Sequence, residues 1–133
     1  MLANILIVED EVLVALEMQS ILEEQGHRVA GIAVDLESAL AYIDQPIDLA
    51  LVDLNLRDGL TGPEIGRRLA NDHRAGVLFV TANPAMLGDG IAGTIGVLTK
   101  PTDKTTLSSA VSFALRHLKG EMAEAPAALR RFS

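Results

Sequence analysis

The chain is expected to fold as an α/β domain: a (βα)5 doubly wound five-stranded parallel sheet with strand order 2-1-3-4-5. Two observations carry this. Short, β-branched apolar runs alternate with longer segments of helical period, which implies right-handed crossovers and a sheet covered on both faces. Polar residues of particular types then fall just past the carboxyl ends of those runs, where open α/β sheets bind their ligands.

The strands are expected at Ile5–Val8, Arg28–Val34, Leu49–Asp53, Gly76–Val80 and Thr94–Leu98. Several are continuous apolar runs, as strands buried on both faces are. In the first helix Val14, Met18, Ile21 and Leu22 make one apolar stripe, and Gly26 ends it as a C-cap. Ser38–Ile43 and Pro63–Asn71 are shorter helices, the latter capped by Thr61 or Gly62 with Pro63 in the first turn, where a missing N–H costs nothing. Leu107, Val111, Ala114, Leu115 and Leu118 stripe the last helix. The segment Asn83–Gly90 and the glycines at 93 and 96 make a poor fourth helix, because each helical glycine costs about 1 kcal/mol against alanine. It is expected to be short or frayed, and to order in a phosphorylated or partner-bound state.

With 133 residues there is room for one domain. Residues 1–119 are expected to form it and 120–133 a C-terminal tail, loose on its composition, or else a short segment that docks on a partner or another copy. An apolar share of 49% supports a core that must be aliphatic, since aromatics make up 3%. The absence of cysteine rules out disulfides and thiolate chemistry. A formal charge of −7 speaks against a nucleic-acid partner and for cations or basic protein surfaces. The first residues carry no basic leader, and no apolar run has the ~18 residues of a membrane span. A cytoplasmic protein without membrane partners is the expectation.

Past the first strand stand Glu9, Asp10 and Glu11; Asp53 ends the third, Thr81 follows the fourth, and Lys100 follows the fifth. Taken singly, each has an ordinary use. The acids would cap a helix, Asp53 would serve a turn, Thr81 would be a cap, and Lys100 a solvated charge. Together, at one edge of the right strands, they make a site. Crowded carboxylates favour a hard divalent cation, and Mg²⁺ takes one or two carboxylates with waters and a phosphate oxygen. An ionised Asp53 can then attack phosphorus and form an aspartyl phosphate. Lys100 would neutralise charge on the transferred group and Thr81 would donate a hydrogen bond to it. His27, His73 and His117 lie away from these strand ends and are expected at the surface.

Ile5-Leu6-Ile7-Val8-Glu9-Asp10-Glu11, Asp53, Val80-Thr81-Ala82 and Lys100-Pro101 together resemble the receiver domain of two-component response regulators, the CheY-like, flavodoxin-like fold, over about residues 3–118. The resemblance implies that Asp53 is the phosphoacceptor for a sensor histidine kinase and Asp10 a direct Mg²⁺ ligand. It implies that Glu9 acts through water, that the Asn55 backbone carbonyl completes the metal site, and that Thr81 and Lys100 contact the phosphoryl group. It implies a cis Lys100–Pro101 bond, a minority state for X–Pro that tertiary context selects. A domain of this kind catalyses only its own phosphorylation and dephosphorylation.

Three departures stand out. The loop after Asp53 is about one residue longer than is usual and has Arg57 where relatives place proline. Val97 replaces an aromatic residue that turns inward when the threonine engages phosphate. The fourth helix is glycine-rich. No output domain is read after residue 118, so the expectation is a stand-alone receiver, signalling through its fourth-helix and fifth-strand face, through a homodimer, or acting as a phosphate sink; if the sequence is part of a longer chain, the expectation is the input half of a larger regulator. The Asp-Gly loop and the Val-Thr-Ala-Asn-Pro stretch resemble stand-alone receivers of alphaproteobacterial stress and light responses. The competing chemistry is a phosphatase of the haloacid dehalogenase type, which also forms an aspartyl phosphate. It needs a second aspartate as general acid where this chain has Asn55.

Overall fold

The computed structural model describes residues 2–132. Strand β1 (Asn4–Val8) leads to helix α1 (Val12–Glu24), β2 (Arg28–Ala33), α2 (Leu36–Leu40), β3 (Leu49–Val52), α3 (Gly62–Asn71) and β4 (Gly76–Thr81). A single 3-10 turn (Pro84–Leu87) precedes β5 (Gly96–Thr99), α4 (Lys104–Leu118) and β6 (Leu129–Arg131). The sheet order is β2-β1-β3-β4-β5-β6, with β1 to β5 parallel and β6 antiparallel to β5. The expected 2-1-3-4-5 order is therefore present, extended by one strand.

Side chains alternate across the pleat. Ile5, Ile7, Leu49, Leu51, Leu78 and Val80 face α1 and α4 in one cluster. Leu6, Val8, Ala50, Val52, Val77 and Phe79 face the opposite cluster with Ile65 and Leu69 of α3. Both faces of the central strands are dry, which is why β1, β3 and β4 read as unbroken apolar runs. Gly26, at φ +92°, ends α1 by donating to the Glu23 carbonyl. Asp35 and Ser38 form a reciprocal capping box at α2, which starts two residues earlier than expected and gives way to turns after Leu40.

Three expectations are corrected. His27 is buried, not at the surface: its Nδ1 accepts the Ala3 N–H at 3.2 Å. Strand β5 begins at Gly96 rather than Thr94, because the Thr94 N–H and hydroxyl both turn back to the Ile91 carbonyl. The tail is not loose over its last described residues. Leu129 is buried in the α1/α4 core, and β6 pairs Gly96 with Arg131, Val97 with Arg130 and Leu98 with Leu129.

Candidate functional site

The site lies at the carboxyl edge of the parallel strands. The register places Val8 beside Val52, Val52 beside Phe79, and Thr81 beside Thr99. The residues that follow these strands therefore emerge at one level. The Asp53 N–H bonds the Val8 carbonyl at 2.9 Å, the Glu9 N–H bonds Ala33 at 2.8 Å, and the Lys100 N–H bonds Thr81 at 2.9 Å. These ladder bonds continue past the strand ends and hold the functional residues to the sheet, as a preorganised site requires.

Glu9, Asp10 and Asp53 each offer a carboxylate oxygen, and the three lie within 4.8 Å of one another. Glu9 is 2% exposed and Asp53 9%, while Asp10 is half-buried. Lys100 Nζ donates to Asp53 Oδ2 at 2.8 Å and also to Glu9 Oε1. Asp53 Oδ1 accepts the N–H of Leu54 at 2.7 Å, and Glu9 Oε2 accepts that of Glu11 at 3.1 Å. Burial pushes the Glu9 carboxyl above its ordinary range, against the pull of the Lys100 ammonium. Burial also works against the Lys100 charge, but its bonds to Asp53 and Glu9 outweigh this and hold the ammonium above the usual lysine range. Two of the three carboxylates thus share one ammonium, and Asp10 bonds none among the described residues. That excess of negative charge, with hard oxygen donors clustered at a mouth, fits a divalent cation such as Mg²⁺.

Thr81 is 1% exposed at the end of β4, and its Oγ1 accepts the Asn83 N–H at 3.1 Å. Its hydroxyl proton is committed to none of the four charged groups. Asn55 is exposed in the loop after Asp53. The Lys100–Pro101 peptide is cis, as expected.

Asp58, which is not among the expected site residues, holds the loop after Asp53. Asp58 accepts from the Leu36 N–H at 3.1 Å and from the Thr61 hydroxyl at 2.5 Å, tying this loop to the start of α2. Leu56 and Gly59 close it by exchanging backbone bonds. Gly62 then passes so close that a Cβ there would sit 2.0 Å from the Asp53 carbonyl oxygen. The Asp58-Gly59 pair was the visible signal, since Asp-Gly marks a tight turn.

Residues 5–112 match the family model described as the response regulator receiver domain. The chain is 32% identical over 118 residues to the phyllosphere-induced regulator PhyR of Methylorubrum extorquens, covering 86% of this chain and 44% of that protein. The fold matches the response regulator PhyR from Brucella abortus at TM-score 0.81 and 29% identity, over 90% of this chain and 50% of that one. It also matches the receiver domain of Erythrobacter litoralis PhyR at TM-score 0.79 and 28% identity, over 92% of this chain and 96% of that one. The chain thus spans about half the length of the first two relatives.

Proposed function

Because the chain belongs to the response regulator receiver domain family, we propose that Asp53 is its phosphoacceptor and that a sensor histidine kinase is the donor. The observation that carries this is the convergence of Asp53, Glu9, Asp10 and Lys100 at the end of the parallel strands. An oxygen of the ionised Asp53 attacks phosphorus, a P–O bond forms, and the P–N bond to the donor histidine breaks. Glu9, Asp10, Asp53 and the Asn55 carbonyl would hold Mg²⁺, which supplies positive charge to the phosphoryl oxygens. Lys100 shifts its ammonium from the carboxylates to the incoming group, and Thr81 donates its free hydroxyl proton there.

Helix α1 supports a protein as donor. Val12, Leu13 and Leu16 are 66%, 82% and 50% exposed directly after Asp10 and Glu11. Apolar side chains at the mouth of a charged site fit a protein surface better than solvent. The described residues contain no helix long and apolar enough to cross a membrane, and we place the reaction in the cytoplasm, with the kinase's phosphohistidine. The phosphatase alternative is set aside: the family match is to a receiver domain, and Asn55 has no proton to give and retrieve.

The test is chemical. Radiolabelled acetyl phosphate with Mg²⁺ should label the protein in a bond that hydroxylamine cleaves, as it cleaves an acyl phosphate. Label resistant to hydroxylamine would point to another residue type and contradict the proposal.

A further inference from the structure

The last described residues reach back to the segment that follows Thr81. Arg130 Nη1 donates to the Gly88 carbonyl at 2.8 Å and Nη2 to that of Pro84 at 3.2 Å, so one guanidinium grips both ends of the 3-10 turn. The guanidinium also lies 5.3 Å from the centroid of the Phe132 ring. That ring packs 6.4 Å from Phe79 and closes over Gly90, where φ is +114° and a Cβ would meet it at 2.4 Å. The Phe132 N–H bonds the Ile95 carbonyl at 3.0 Å.

We propose that residues 129–132 are a strap that reads the state of Asp53: phosphorylation draws Thr81 and its loop toward the site, breaks the grip of Arg130, and detaches β6 from β5. This rests on the phosphoacceptor reading above. A continuous path joins the two ends. Thr81 Oγ1 holds the Asn83 N–H, the Asn83 carbonyl accepts from Met86 inside the 3-10 turn, and Arg130 holds the carbonyls of Pro84, which starts the turn, and Gly88, which follows it. When the Thr81 hydroxyl engages a phosphoryl oxygen on Asp53, this path shifts toward β3. Arg130 is fixed on the opposite side, at the β5 edge, and its longer bond to Pro84 is the first to go.

The strap is built to let go. Its ladder is three residues long, at the short end of the range for strands. Residues 119–128, which lead to it, form no helix or strand. The β4–β5 segment beneath has only the 3-10 turn and positive-φ glycines at 88, 90 and 93, so it can move at small cost. Val97, paired with Arg130 across the ladder, has no ring to turn. The aromatic group tied to the Thr81 loop is Phe132, and its release would uncover the backbone edge of β5.

Hydrogen exchange and intact mass, read on the same sample of the full chain, test this. With Mg²⁺ and acetyl phosphate, amides 129–132 should exchange roughly tenfold faster than with Mg²⁺ alone, a coupling of ordinary allosteric size. The Asp53→Asn variant should show no such change. Arg130→Ala should exchange fast in both states while β1 and β3 stay protected. A phosphoryl mass with unchanged protection of 129–132 would overturn the strap and leave the phosphoacceptor reading intact. The absence of any phosphoryl mass would overturn both.

Discussion

Lys100 Nζ lies 2.8 Å from Asp53 Oδ2 and bonds Glu9 as well, so one ammonium joins the ends of β1, β3 and β5. The side chains are 15%, 11% and 2% exposed, so solvent screens them weakly. Replacing Lys100 with Met removes the only cation among these groups and, in the proposed reaction, a donor to the transferred phosphoryl. Loss of one such donor typically costs about 10²-fold in rate. Phosphoryl uptake from acetyl phosphate should slow by that order in Lys100→Met, with Asp53 still the labelled residue. Uptake at the wild-type rate would remove Lys100 from the reaction.

Mg²⁺ should stabilise the fold. Glu9, Asp10 and Asp53 crowd within 4.8 Å with an excess of negative charge, and a cation that binds the native cluster adds free energy by mass action. At a hundredfold excess over Kd the gain is about 2.7 kcal/mol. Thermal unfolding should therefore rise with Mg²⁺, fall back with chelator, and respond weakly in Asp10→Asn. An identical Mg²⁺ response in wild type and Asp10→Asn would count against the cluster as the metal site.

Gly62 is the backbone constraint on Asp53. Its absent Cβ would stand 2.0 Å from the Asp53 carbonyl oxygen and 2.5 Å from Leu54 Cα, and main-chain atoms cannot rotate aside. Gly62→Ala should destabilise by about 1–3 kcal/mol, the range of overpacking in a tight interior. It should also slow phosphoryl uptake, because the loop that must yield carries Asp53. Urea unfolding and acetyl phosphate labelling check the two effects. A variant equal to wild type in both would show that the loop has slack the geometry denies.

His27 makes the fold sensitive to mild acid. Burial lowers its folded pKa below the ordinary 6.5, and its Nδ1 must stay unprotonated to accept the Ala3 N–H. The unfolded chain then binds the proton more readily. The stabilisation is present above pH 6.5 and is lost as pH falls from there through the lower folded value. One proton allows a slope of at most about 1.4 kcal/mol per pH unit. Urea unfolding across this window should show the slope in wild type and a flatter profile in His27→Gln. Equal slopes would assign the sensitivity elsewhere.

What the chain shows before folding, and what it hides, follows from where the information sits. Strands β1, β3 and β4 are legible because Ile5–Val8, Leu49–Val52 and Gly76–Val80 are buried on both faces and carry no polar interruption. The site is legible for a related reason: Glu9, Asp53 and Lys100 stand directly after strands and Thr81 ends one, so their convergence follows once the topology does. The weak helix after Thr81 is legible from its glycines, and one 3-10 turn is what forms there. His27 is not legible, because its burial depends on Ala3, far away in the sequence, offering it an N–H. Strand β6 is hidden more deeply. Leu129-Arg130-Arg131-Phe132 is too short and too charged to show a period. What makes it a strand is the open edge of β5 and two carbonyls at Pro84 and Gly88. Asp58-Gly59 shows its turn, but the partner of Asp58 in α2, the Leu36 N–H, is hidden because it lies far away in the sequence.

Intact mass after brief incubation with acetyl phosphate tests the role of Asp53 without an intermediary. With Mg²⁺ present, the wild-type chain should gain one phosphoryl group and no more. The gain should vanish in Asp53→Asn and be suppressed when the metal is chelated. A phosphoryl group that persists in Asp53→Asn, or that forms equally well without metal, would contradict the assignment of Asp53 as a Mg²⁺-assisted phosphoacceptor.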